Sequence, residues 1–174
     1  MCKEWLKTRT GFLIKGLSIS VLIISAGAVY FSSHQIGIDN QGITCLPYRV
    51  YIIDTSNKNV KRNGYVNFVM DNRGAPFFRN GQPFIKKVVG VPGDKIDVTR
   101  KGLFINGKFI KAFNQHVLNK IKEMTGKEAD KEERHLELVK GEYWGFGSNP
   151  RSFDSMYWGK IYQRQVTGIA RPIF

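Results

Sequence analysis

The chain has 174 residues, room for one domain of ordinary size plus an appendage, and its 42% hydrophobic share with 12 Phe, 7 Tyr and 3 Trp excludes a disordered polypeptide. A formal net charge of +13 suits an anionic membrane surface or nucleic acid as partner and by itself does not separate the two. With only Cys2 and Cys45, the chain is not a disulfide-stapled secreted scaffold.

The first element is an apolar run. Residues 12–31 read FLIKGLSISVLIISAGAVYF, uncharged from Gly16 onward, with Lys15 close enough to one end to snorkel. Such a run at about 1.5 Å per residue spans the roughly 30 Å hydrocarbon core of a bilayer. Lys3, Lys7 and Arg9 outweigh the lone Glu4 upstream, which favours a cytoplasmic N-terminus, and Trp5 and Tyr30 suit the two interfaces. The expected organisation is a cytoplasmic segment over 1–11, a transmembrane anchor over 12–32 and an outward-facing domain over 33–174. A cleaved secretory signal shares the basic start and the small residues of Ser25-Ala26-Gly27-Ala28, but the long apolar run favours an uncleaved anchor. The anchor separates Cys2 from Cys45, so the two thiols cannot bridge.

From residue 36 onward the pattern changes to short β-type runs broken by Gly, Pro and Asn. Strands are predicted at 48–53, 65–69, 84–89, 95–98, 103–110, 144–146 and 165–170. The Asn106-Gly107 pair folds 103–110 into a hairpin. The fold class is mainly β: a curled antiparallel β-domain, a sheet or barrel, with a small helical insertion and one N-terminal transmembrane helix. That insertion is 111–140, rich in Lys and Glu, where Val117, Leu118, Ile121 and Met124 recur at helical spacing and predict one or two helices. A solvated surface insertion is the bland account of it; a lid or docking arm is the functional one.

Three segments carry candidate chemistry. Cys45, in Thr44-Cys45-Leu46-Pro47, supplies a sulfur nucleophile whose ordinary pKa near 8.5 falls beside a cation. Taken alone, such a residue is more often a small buried hydrophobe. Lys86 and Lys87 sit together in an apolar strand, so one faces water and the other faces inward. An inward lysine loses hydration and can serve as a neutral general base, or stay charged and hold a thiolate; a twisted strand edge is the structural alternative. Between Gly147 and Gly159, Ser152 is placed to orient a base and Asp154 to fix the loop through backbone amides or a cation, although polar turns of this kind are common.

The order of these segments resembles the type I signal peptidase family. An anchor is followed by a nucleophile-x-Pro segment, then Lys-Lys-Val-Val-Gly-Val-Pro-Gly-Asp over 86–94, then Ser-Phe-Asp-Ser-Met-Tyr-Trp-Gly over 152–159. The compact branch of conjugative transfer systems, the TraF-like peptidases that mature pilin, is the nearer likeness. It too has one residue, here Leu46, between nucleophile and proline. The resemblance implies a signal-peptidase-like β-domain on the outer face of the bacterial inner membrane, in the periplasm, with no cofactor and no metal. It implies Cys45 in the place of the nucleophilic serine, Lys86 as general base, Ser152 as the serine that positions the lysine and Asp154 as the aspartate of the last motif. Oxyanion donors would be the Cys45 N–H and, one position out of the usual register, Thr44. Met156 stands where the family commonly has arginine, leaving Arg151 or Lys160 as candidate partners for Asp154.

The implied substrate is a pilin precursor or another signal-peptide-bearing protein, with membrane lipids and other transfer-apparatus proteins as further partners. Hydrolysis and ring closure of the pilin both remain open as the fate of the acyl group. An inactive assembly protein that keeps the fold and a general secretory signal peptidase are the alternatives. No helix-turn-helix, zinc-ligand or RNA-binding signature supports nucleic acid as a partner. His34, His116 and His135 are scattered along the chain, which argues against a Cys–His protease.

Overall fold

The computed structural model of the chain describes residues 2–40, 42 and 44–173, with side chains from residue 10 onward. The chain divides into two compact units, one up to Gln35 and one from Ile36 onward. The first is a single helix, α1 (Cys2–Ser33), of which Thr10–Ser33 is long and apolar enough to cross a membrane and has no part buried against protein. Its polar groups are satisfied within the helix: the hydroxyls of Ser18 and Ser20 donate to the carbonyls of Ile14 and Gly16 one turn back. The expected interfacial Trp5 and the basic residues Lys3, Lys7 and Arg9 have side chains outside the described residues.

The second unit is built from β1 (His34–Ile38, which starts in the first unit), β2 (Val50–Asp54), β3 (Tyr65–Val69), β4 (Pro83–Gly90), β5 (Lys95–Thr99), β6 (Gly102–Ile105) and β7 (Lys108–Lys111). Then come α2 (Gln115–Thr125), β8 (Arg134–Glu137), β9 (Glu142–Phe146), α3 (Ser155–Trp158), β10 (Ile161–Tyr162) and β11 (Val166–Pro172). The strands form a seven-stranded sheet in the order β1-β2-β11-β3-β4-β9-β10 and a four-stranded sheet in the order β7-β6-β5-β8. The pairings of β2 through β11 are antiparallel. The mainly antiparallel β-domain expected from the sequence is present, and it takes the form of two sheets.

Period-two burial explains why these segments pair as they do. In β4, Phe84, Lys86, Val88 and Gly90 are buried while Ile85, Lys87 and Val89 are half-buried, so one face of the strand lies in the interior. Val66, Phe68, Val88 and Ile161 are wholly buried in one apolar cluster. Ile96, Val98, Leu103, Trp144 and Met156 are wholly buried in a second. A smaller third cluster gathers Leu46, Tyr51, Ile53 and Ala170. Between β6 and β7 the chain reverses at Asn106 and Gly107, with φ of 51° and 76°, the left-handed pair that a two-residue hairpin requires.

The segment 111–140 contains one helix, as predicted, and in addition a strand that was not predicted. Lys111 ends β7, a single helix covers Gln115–Thr125, and Arg134–Glu137 forms β8, which pairs with β5. α2 starts at Asn114, whose side-chain oxygen accepts the amides of His116 and Val117, and stops at Gly126 with φ of 72°. It buries Val117, Leu118 and Ile121, whereas Met124 stays 45% exposed. β8 escaped the sequence reading because its outward positions carry His135 and Glu137, and an edge strand with alternating charge imitates a solvated helix. β1 and β10 were also absent from the prediction, the latter being two residues long.

Asp94 ties the end of β4 to the second sheet. It is 4% exposed and accepts hydrogen bonds from the Arg62 guanidinium at 2.8 Å, the Val91 amide at 2.8 Å and the Asn106 side-chain amide at 2.8 Å. Burial alone would raise its pKa, but these donors hold it below the ordinary 3.8. Asp94→Ala is expected to cost about 2–4 kcal/mol at neutral pH, since three donors lose a charged acceptor. The folded pKa lies below the unfolded 3.8, so this contribution is complete above 3.8 and fades as pH falls through the folded value. Unfolding of the detergent-solubilised chain across pH should show wild type and variant converging in acid; a constant gap would contradict the assignment.

Candidate active site

Lys86 lies opposite Val66 of β3, on the inward face of β4. It is 1% exposed, and its neighbour Lys87 takes the other face of the strand. A buried amine without a partner is costly. Here Nζ donates to the hydroxyl oxygen of Ser152 at 3.0 Å, and Ser152 is itself 1% exposed. Among the described residues Lys86 joins no ion pair.

Ser152 belongs to the loop between β9 and α3, and the same loop grips the segment of Cys45. The Asn149 amide donates to the Cys45 carbonyl at 3.2 Å, and the Asn149 side chain donates to the Thr44 carbonyl at 3.1 Å. The Ser152 amide returns to the Asn149 carbonyl at 2.9 Å. Leu46, buried among Tyr51, Ile53 and Ala170, anchors the other side of Cys45. Gly147 makes the approach possible: a Cβ there would lie 1.9 Å from the Ser152 hydroxyl oxygen and 3.0 Å from the Cys45 carbonyl. The Cys45 thiol is free and half-buried. Cys45 and Lys86 are thus tied to one shared loop, Cys45 through its carbonyl to Asn149 and Lys86 through its amine to Ser152.

Asp154 is fully buried. One carboxylate oxygen accepts from the Lys111 amine at 2.7 Å and from the Gly147 amide at 3.1 Å; the other accepts from the Met156 amide at 3.2 Å and caps α3. The proposed partners of Asp154 are therefore corrected. Arg151 is exposed, Lys160 pairs with Glu142 at 2.7 Å, and Lys111 fills the cation's place. Met156 is buried in the apolar cluster around Trp144. Lys111 was missed because it opens the charge-rich segment, where one more lysine carries no signal. Beside it, burial pushes the Tyr157 phenol up to about 12, against the pull of the Asn114 amide.

Thr44, Cys45 and Ser152 line a groove of about 300 Å³. His116 lines it too, and His135 pairs with Asp97. Among the described residues no three His, Cys, Asp or Glu side chains gather as metal ligands would. Chemically, the arrangement offers a thiol at a groove, a hydroxyl that lines the same groove, and a buried amine that donates to that hydroxyl.

The family model described as signal peptidase, peptidase S26, matches residues 4–174. Among solved structures, a signal peptidase I from Enterococcus faecalis V583 is similar at 23% identity, covering 64% of this chain and 96% of that one, with a TM-score of 0.38. A comparison with curated proteins finds no match.

Removing the Lys111 amine leaves the Asp154 carboxylate buried with amide donors alone. Lys111→Met is expected to destabilise the chain by about 3–5 kcal/mol. Adding Asp154→Asn should recover a good part of that loss, because the uncompensated charge is gone. A double-mutant cycle by thermal unfolding reads the coupling, and additive losses would contradict it.

Proposed function

The chain belongs to the signal peptidase family, peptidase S26, and we propose that it serves the conjugative-transfer branch, cutting a pilin precursor through an acyl-enzyme on Cys45. The family acts on signal-peptide-bearing substrates, and the apolar helix Thr10–Ser33 is compatible with membrane anchoring. The basic residues Lys3, Lys7 and Arg9 favour a cytoplasmic N-terminus, with the peptidase domain in the periplasm.

In this mechanism Lys86, as general base, takes the proton of the Cys45 thiol as sulfur attacks the scissile carbonyl. The Cys45 N–H and the Thr44 hydroxyl receive the oxyanion. The tetrahedral adduct collapses as protonated Lys86 returns its proton to the leaving amine, and a thioester remains. Water then releases a trimmed acid, or an amine of the same substrate releases a ring and restores the thiol. Ser152 holds the lysine in register for both transfers, and Asp154 holds the loop that carries Ser152. The observation that carries this reading is the buried hydrogen bond from Lys86 to Ser152, on a loop whose Asn149 also holds the backbone of Cys45.

Cys45→Ala and Lys86→Met are each expected to slow precursor processing by roughly 10³-fold or more while the protein still inserts in the membrane. Gly147→Ala should impair it as well, by driving Ser152 off the lysine. Immunoblots of the precursor in cells carrying each variant measure this, and full processing by Cys45→Ala would end the proposal. Intact mass of the mature pilin separates the two fates of the thioester: a product lighter by one water than the trimmed linear chain is the ring.

A further inference from the structure

The groove beside Cys45 has a wall that the chemistry does not use. Val117, Ile121 and Met124 of α2 line it with apolar surface, faced by Phe77, Phe78 and Phe153. Met124 is 45% exposed there, an unbranched and polarisable side chain that suits varied apolar contacts. The polar members of the same lining are all neutral or basic: His116 and Lys120 come from α2, and Arg151 stands next to Ser152. Not one Asp or Glu lines the groove. Lys120 and Arg151 are exposed, and among the described residues neither joins an ion pair.

An apolar lining that also carries exposed cations, without ion-pair partners among the described residues, discriminates by charge as well as by shape. Neutral apolar segments gain burial alone, anionic ones gain attraction in addition, and cationic ones are repelled. Cys45 and these α2 residues line the same groove, so a peptide bound in it is exposed to both. We propose that α2 and Arg151 form a charge-selective wall of the substrate groove, which favours peptide segments carrying an acidic side chain close to the scissile bond. The segment 111–140 then acts in substrate choice, through the one helix it contains. This inference rests on Cys45 being the attacking group, yet it concerns the field around the thiol and can be read without turnover.

The test uses the detergent-solubilised full chain with Cys2→Ser, so that Cys45 is its sole thiol. Iodoacetate and iodoacetamide both alkylate the Cys45 thiolate, forming a sulfur–carbon bond and expelling iodide, and they differ in charge. The ratio of their rates cancels the thiolate fraction and reports the local field. Relative to N-acetylcysteine amide, a neutral thiol, the ratio should favour the anionic reagent by roughly three- to tenfold at low salt and collapse at high salt. Lys120→Glu combined with Arg151→Glu should push it below the neutral reference. A ratio equal to the reference in the unmodified groove, or unmoved by the charge reversals, overturns the proposal. In parallel, a short apolar peptide with one Asp should protect Cys45 from iodoacetamide at a several-fold lower concentration than its Asn and Lys counterparts. Equal protection by the three also overturns it. Processing that survives Cys45→Ala would sink the catalytic reading and leave these ratios untouched, so the two failures are distinguishable.

Discussion

Lys86 carries its amine into the interior of a β-sheet, where an amine without a hydrogen-bond partner costs several kcal/mol. The loop that supplies the partner, through Ser152, is the part of the fold on which the candidate site depends. That loop is held by Phe153, which packs against the apolar cluster of the larger sheet, and by Asp154, whose two oxygens collect the Lys111 amine and the amides of Gly147 and Met156. A fully buried carboxylate is tolerated there because all of these donors converge on it. Two buried ionisable side chains, each held by its own partners, therefore fix one another's surroundings.

The glycine at 147 shows how tightly the arrangement is drawn. Its missing side chain lets the Ser152 hydroxyl and the Cys45 carbonyl occupy the space that a methyl group would fill. Asn149 then joins the segment of Cys45 to the loop with two hydrogen bonds, one from its backbone and one from its side chain. Preorganisation of this kind limits the reorganisation that a reaction would otherwise require. The hydrogen bonds described at 44 and 45 are accepted by backbone carbonyls, so they do not depend on the side chain at position 45.

Much of this was legible along the chain. The β-type runs at 65–69 and 84–89 located two central strands, and strand geometry required that one of Lys86 and Lys87 face inward. Asn106-Gly107 announced a hairpin because few other pairs accept φ > 0 at both positions. The order of anchor, cysteine, lysine and Ser-x-Asp segments pointed to the family that the S26 model also finds. β8 was hidden by charge, since period two and period 3.6 are hard to tell apart over four residues. His116 was set aside because spacing along the chain says nothing about which helix flanks a groove.

What the sequence determined by itself is whatever local pattern encodes: the apolar helix, the strand faces, the turn, and the residue types able to act as nucleophile and base. The tertiary structure alone decided who meets whom. Lys111 reaches Asp154 across 43 positions, and Lys86 reaches Ser152 across 66. Those encounters follow from strand order and loop path, and a partner is recognised only once the fold shows which polar group meets the buried one.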